Sequence, residues 1–312
     1  MRLALLLFIA LTVQPKAFAG IDVIYGKDNR KDVYEVQNTL FLELAKSTAG
    51  MIPLNQLKLA TNEVHLEVNH APSLKEGQNV CATEAFASQP IAPSCSGFLV
   101  GPDTLITAGH CYKSFSTPEN VCKDFLWVFG YEMKSANHNP TKGINYDDIY
   151  LCKQVIAAEL DNNYDFAIIK LDRKVIGRKP LKFRSSGKIS DDTPLVVIGH
   201  PSGLPTKISD GGRVTKNSEF TRFSTTLDTF HGNSGSAVFD ARTGTIEGIL
   251  IQGKNDYRPS LKNNPNSCLV VNICDEEAKN CSAGEDFGLV KNGEVVLRIN
   301  AFQKQLNEAL KN

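Results

Sequence analysis

The chain has 312 residues, with 34 lysines and arginines against 34 aspartates and glutamates, so its formal net charge is zero. A balanced chain offers no large electrostatic footprint for nucleic acid or an anionic membrane surface. Its eight cysteines are an even set, as expected of four disulfides formed in an oxidising compartment.

In chain order, Met1-Arg2, the apolar run 3–13 and Ala17-Phe18-Ala19 read as an export signal over residues 1–19, with an A-x-A cleavage site. The apolar run is too short to cross a bilayer and no later run is longer. The mature chain from Gly20 is therefore expected to be secreted or periplasmic, monomeric and without a membrane span. His65, Glu67 and His70 have metal-ligand side chains, but Val64, Leu66 and Val68 alternate with them. That period is the signature of a strand with a polar outer face, and no metal site is assigned.

Short strands are predicted at 95–100, 104–107, 125–129, 149–156, 166–171, 194–199, 220–226, 236–240 and 246–251, separated by Gly, Pro, Asn and Asp clusters. This spacing indicates an all-β sandwich or pair of barrels, with residues 178–182 as the crossing between its halves. Cys95 and Cys111 bracket two of these strands and a Gly-Pro-Asp turn, which brings their ends together. A disulfide closing a loop of that size contributes about 3 kcal/mol in the chain-entropy model. Cys122 and Cys152 border strand-like runs and form a plausible second pair. Three pairings stay open for Cys81, Cys268, Cys274 and Cys281, whose spacings do not match short zinc knuckles. Ile299, Phe302, Leu306 and Ala309/Leu310 recur at helical steps and predict an amphipathic helix over 297–310.

Three motifs carry chemistry. In Thr107-Ala108-Gly109-His110-Cys111, a histidine follows an apolar strand and is anchored by the next cysteine. Asp165 directly precedes the buried-strand run 166–171, whereas Asp161 and Asp172 fall in solvated turns. In Gly232-Asn233-Ser234-Gly235-Ser236, a serine sits between glycines on a tight turn entering Ala237-Val238-Phe239. Gly232 tolerates backbone angles that a Cβ forbids, so its N–H and that of Ser234 can converge on one developing oxyanion. A serine hydroxyl needs a base, histidine titrates near neutrality, and a carboxylate fixes its tautomer. His200, after Gly199, reads as a structural turn residue, since His110 already supplies the base.

The chain order His, Asp, Ser, with Gly-Asn-Ser-Gly-Ser at the nucleophile, resembles that of chymotrypsin/trypsin-like serine endopeptidases. Within them it is similar to the bacterial secreted branch that includes the V8-like glutamyl endopeptidases, over roughly residues 92–255. The resemblance implies two packed six-stranded antiparallel Greek-key barrels, about 45–178 and about 179–295, with the C-terminal helix packed on the second. It implies His110, Asp165 and Ser234 as catalytic residues, Gly232 and Ser234 N–H groups as the oxyanion hole, and a Cys95–Cys111 disulfide. Protein or peptide substrates follow, with no cofactor. Asp228, six residues before Ser234, falls where a trypsin-like pocket has its acidic floor, which implies cleavage after Arg or Lys. Gly253 leaves such a pocket open to a long side chain. Glutamyl endopeptidases carry a histidine where this chain has Leu250, whereas Thr229, like that group's threonine, and His231 at the pocket rim suit a Glu-specific alternative. Asn233 stands where trypsin-like zymogens place an aspartate, so their ion-pair activation does not transfer. Retention of all three catalytic residue types counts against a non-catalytic binding relative.

Overall fold

The computed structural model describes residues 23–60, 65–113, 122–261, 264–278, 280–282 and 293–311. The export-signal reading of residues 1–19 lies outside them. β1 (Ile24–Tyr25) and β2 (Arg30–Asp32) precede α1 (Thr39–Ala45), where the Asn38 side chain caps the Leu40 N–H at 3.0 Å. β3 (Thr48–Pro53) is followed by the small hairpin β4 (Leu57–Leu59) and β5 (Leu66–Val68), then α2 (Leu74–Gln78). β6 (Cys95–Leu99), β7 (Thr104–Thr107), α3 (Gly109–Lys113), β8 (Phe125–Phe129), β9 (Ile149–Leu160) and β10 (Asp165–Leu171) complete the first half. Six of these strands close a barrel in the order β10-β7-β6-β3-β8-β9. In this barrel β10 runs antiparallel to β7 with Ala167 opposite Thr107, so the start of β10 lies beside the end of β7.

The second half contains β11 (Leu195–Gly199), β12 (Lys207–Gly212), β13 (Val214–Lys216), β14 (Arg222–Thr225), β15 (Ala237–Asp240) and β16 (Ile246–Gln252). The hairpin β17 (Tyr257–Leu261) and β18 (Asn264–Val271), then β19 (Ile273–Cys274), β20 (Glu294–Arg298) and α4 (Gln303–Ala309) follow. Its sheet has eight strands in the order β13-β14-β20-β16-β15-β11-β12-β2 and stays open, where six closed strands were expected. One of its edge strands is β2, from the N-terminal segment, which pairs with β12 through Asp32 opposite Lys207. Lys207 Nζ bonds the Asp32 carboxylate and donates to Gln89 Oε1 at 2.7 Å, while the Arg30 guanidinium lies 4.1 Å over the Phe230 ring.

One hydrophobic core runs through both halves, from Phe98, Ile106 and Phe166 to Ile198, Phe239 and Ile249. Burial of this kind contributes about 25 cal/mol per Å² of apolar surface. α4 packs on the seam and not on the second half alone. Phe302 stacks on Phe166 of β10 with centroids 4.1 Å apart, and Gln305 donates to Glu159 of β9 at 3.0 Å. The reason is visible in the pattern: Ile299, Phe302, Leu306 and Ala309 all turn inward and need apolar partners on both sides. The four disulfides are Cys81–Cys268, Cys95–Cys111, Cys122–Cys152 and Cys274–Cys281, which fixes the pairing that sequence left open. Glu67 on β5 pairs with Lys142 at 2.7 Å, as suits a polar strand face. Among the described residues, no helix is long and apolar enough to cross a membrane.

Candidate active site

β7 ends at Thr107, and the chain turns through Ala108 into α3, which carries His110. Because β10 pairs beside β7, Asp165 at its first position faces this turn. The carboxylate meets His110 at two points: Oδ1 accepts the main-chain N–H at 2.9 Å, and Oδ2 lies 2.8 Å from Nδ1. Asp165 is buried and the His110 ring is 30% exposed, so a fixed carboxylate backs an imidazole that reaches the surface. With Nδ1 donating to Asp165, the neutral ring keeps its Nε2 lone pair for base chemistry. Asp161 instead closes its own turn, accepting the Asn163 and Tyr164 N–H groups at 2.7 and 2.8 Å, and Asp172 caps Leu151.

Ser234 comes from the turn into β15. From Phe223 to Asp240 every residue is buried except His231 and Ser234. Gly232 and Gly235 have φ of +88° and +86°, and a Cβ on Gly232 would stand 2.5 Å from the His200 carbonyl oxygen. The His231 carbonyl accepts the Ser202 N–H, so across the trans peptide the Gly232 N–H points the opposite way. Among the described residues, no acceptor meets the N–H of Gly232 or of Ser234. Two bare donors beside a partly exposed serine can hold an oxyanion.

The two halves are joined here by Ser96, a residue not singled out from sequence. Its N–H donates to the Ser234 carbonyl at 2.9 Å, and its hydroxyl donates to the Gly232 carbonyl at 2.7 Å while accepting the His200 N–H at 2.9 Å. Thr107 in turn donates to the Ser96 carbonyl at 2.7 Å. The neighbouring Cys95 is bonded to Cys111, whose sulfur lies 3.6 Å from the Ser234 carbonyl oxygen. The disulfide thus ties the residue after His110 to the serine turn. Cys95, His110 and Cys111 look by composition like a metal set, but both sulfurs are spent in the disulfide and offer no thiolate. His200 is fully buried, its Nδ1 lies 3.0 Å from the Leu204 carbonyl, and burial pushes it down to about 4, so it stays neutral inside the fold.

The pocket residues depart from expectation. Asp228 is not an open pocket floor: its Oδ1 accepts the Tyr25 N–H and its Oδ2 the Asn29 N–H, both at 2.7 Å, and burial pushes its carboxyl up to about 7. It anchors the N-terminal segment. Thr229 turns inward, donating at 2.7 Å to Glu294, whose other oxygen accepts the Tyr25 hydroxyl at 2.7 Å. Gly253 is buried after β16, and Leu250 is 1% exposed. His231 alone of this group reaches the surface, and it is held by Asp256, a residue sequence gave no reason to choose.

Residues 95–249 match the family model of the trypsin-like peptidase domain. The glutamyl endopeptidase of Bacillus licheniformis is 26% identical over 155 residues, 47% of this chain; the match spans 45% of that relative's length. A solved Glu endopeptidase in complex with MPD is 16% identical, covers 93% of this chain and 100% of its own, and superposes with a TM-score of 0.49. The Vibrio cholerae VesB protease is 12% identical, covering 91% of this chain and 67% of its own, with the same score of 0.49. The serine arrangement and the residue match together identify the middle of the molecule: the chain carries a trypsin-like peptidase domain.

Proposed function

We propose that the chain is a serine endopeptidase that cuts peptide bonds through an acyl-enzyme. Ser234 Oγ attacks the scissile carbonyl, and His110 Nε2 takes its proton and returns it to the leaving amine. Asp165 holds the imidazole tautomer and stabilises the imidazolium formed on the way. The Gly232 and Ser234 N–H groups receive the oxyanion, and water then hydrolyses the acyl-serine with His110 as base. One observation carries the reading: the two-point clamp of Asp165 on His110, set on a disulfide that abuts the Ser234 carbonyl. Export belongs to the proposal, supported by the signal-like start and by four disulfides among the described residues.

Cleavage after Arg or Lys would require the Asp228 carboxylate. Since its oxygens hold two backbone N–H groups, a basic side chain would have to share or displace them. The direct test compares the exported chain with Ser234→Ala. A fluorophosphonate should label the first alone, and peptides varying only in Arg, Lys, Glu or Phe before the bond should be cut only by the first. Neither labelling nor cleavage by the parent chain would sink the reading.

A further inference from the structure

The peptide unit between His231 and Gly232 can face either of two ways. Its carbonyl and its N–H point in opposite directions, so Gly232 aims its N–H at an oxyanion only while the His231 carbonyl points into the fold. A carbonyl turned inward needs a donor. That donor is the main-chain N–H of Ser202, at 2.5 Å. Ser202 lies in the loop between β11 and β12, directly behind Gly232: a Cβ on Gly232 would stand 2.9 Å from the Gly203 nitrogen and 3.4 Å from that of Ser202.

Ser202 presents this N–H from a left-handed backbone, with φ +53° and ψ +21°. A residue with a Cβ is strained there, a glycine is not. Such residues persist where the surroundings hold them, and they concentrate at functional sites. Ser202 is held through its own side chain. It is 1% exposed, and its Oγ shares a 2.7 Å hydrogen bond with the hydroxyl of Tyr257, 55 residues away. The Tyr257 ring packs 5.3 Å, centroid to centroid, from Phe230, the residue before His231, and joins the apolar cluster that contains Val80 and Leu204. It arrives on the hairpin β17–β18, which the Cys81–Cys268 disulfide and the Cys81 N–H, donating to the Leu269 carbonyl at 2.8 Å, tie to the segment before β6. A serine that merely closed a turn would need no such distant partner.

We propose that Ser202, locked by Tyr257, is a positioning residue for the oxyanion hole: its N–H pins the His231 carbonyl and so keeps the Gly232 N–H turned toward the reacting carbonyl oxygen. This rests on the serine-peptidase reading above. When Ser202 relaxes to a negative φ, the Pro201–Ser202 peptide rotates and the His231 carbonyl loses its donor. The 231–232 peptide is then free to turn over and place a carbonyl oxygen where the oxyanion must form. An oxyanion donor acts on charge that develops in the transition state, so the loss falls in kcat and leaves KM nearly unchanged.

The test compares Ser202→Ala with Ser202→Gly. Both lack the hydroxyl, and they differ by one methyl group, whose penalty in the left-handed region corresponds to a factor of about 5–30 in population. Ser202→Ala should therefore lose about tenfold in kcat with KM within about twofold, and Ser202→Gly only about threefold. Tyr257→Phe keeps the ring packing and should lose about threefold or more in the parent chain, but nothing further in the Ser202→Gly background, because it acts through Ser202. A peptide aldehyde, which forms a tetrahedral adduct on Ser234, should weaken in Ki by the same factor that kcat/KM falls, with rates normalised to sites titrated by a fluorophosphonate. A merely structural role would lower the titrated fraction and leave Ki unchanged. Equal activity of the alanine and glycine variants, a loss carried in KM, or full activity of Tyr257→Phe overturns the proposal. If Ser202→Ala does not fold, Tyr257→Phe decides by the same readouts. Where the parent chain is labelled and cleaves but any of these results is found, only this proposal falls; where labelling and cleavage are both absent, the peptidase reading falls and takes it along.

Discussion

Replacing Ser96 by alanine tests how the two halves cooperate at the serine turn. The side chain is fully buried, and its one oxygen serves two main-chain groups, the Gly232 carbonyl and the His200 N–H. Alanine leaves both without a partner, and each unsatisfied buried group costs about 1–3 kcal/mol. The expected loss is therefore about 2–6 kcal/mol, or a fall of roughly 5–15 °C in Tm for a chain of this size. Activity should fall further than stability explains. In the proposed mechanism Gly232 carries one oxyanion donor, and removing such a donor outright costs about 10²–10³ in kcat, so loosening it should cost about tenfold or more with KM nearly unchanged. Urea melts and steady-state kinetics on Ser96→Ala measure both effects. A variant that melts within ~2 °C of the parent chain, or loses activity only in KM, would refute the reasoning.

Four further outcomes are expected. Asp165→Asn should keep the fold and lower kcat by about 10⁴, because the amide turns the wrong His110 tautomer toward the serine; a loss under tenfold would remove Asp165 from the triad. Gly232→Ala should abolish activity, since its Cβ would collide with the His200 carbonyl and Gly203 N at a φ of +88°; full activity in a peptide assay would show the turn is not under this constraint. Cys95→Ser/Cys111→Ser should lose about 3 kcal/mol in chemical denaturation, and more activity than that loss predicts, because the His110 loop is released. Asp228 gives a pH dependence of definite sign. Burial raises its folded carboxyl to about 7 from a model value of 3.8, so between these the folded state holds a proton that the unfolded chain releases. Stability then falls as the pH rises through that window, by on the order of 4 kcal/mol, and Asp228→Asn should flatten the curve. Parallel urea midpoints for the two proteins across pH 4–7.5 would contradict it.

Much of the first barrel was legible because its strands are apolar runs closed by Gly, Pro and Asp. β7 and β8 begin and end where the residues predict, and β10 differs only by taking in Asp165 itself. β9 runs on to Leu160, past the expected end at 156, because pairing with β10 extends a stretch whose own residues are half polar. β3 reads Thr-Ala-Gly-Met-Ile-Pro, with too few branched side chains to announce a strand, yet it is central to the barrel through its pairing with β6 and β8. β2 has the sequence Arg-Lys-Asp and becomes a strand only because β12 offers it an edge and Lys207 offers Asp32 an ion pair.

The candidate site divides in the same physical way. His110 and Asp165 could be read because each sits at the end of a strand with its own apolar signature, so the strand pairing that joins them is implied by the pattern. The contacts of Asp228 could not be read because its partners are the backbone N–H groups of Tyr25 and Asn29, separated from it by 203 and 199 residues, and a main-chain donor leaves no trace in residue type. Asp256 was invisible for the complementary reason: it follows Gly253 in a loop, and only the fold carries His231 back over it. A carboxylate's job is set by which donors the fold delivers to it, and its distance from a motif says little. That is why the acid six residues before Ser234 anchors a distant segment, while an acid with no motif at all holds His231, which surfaces three residues before Ser234.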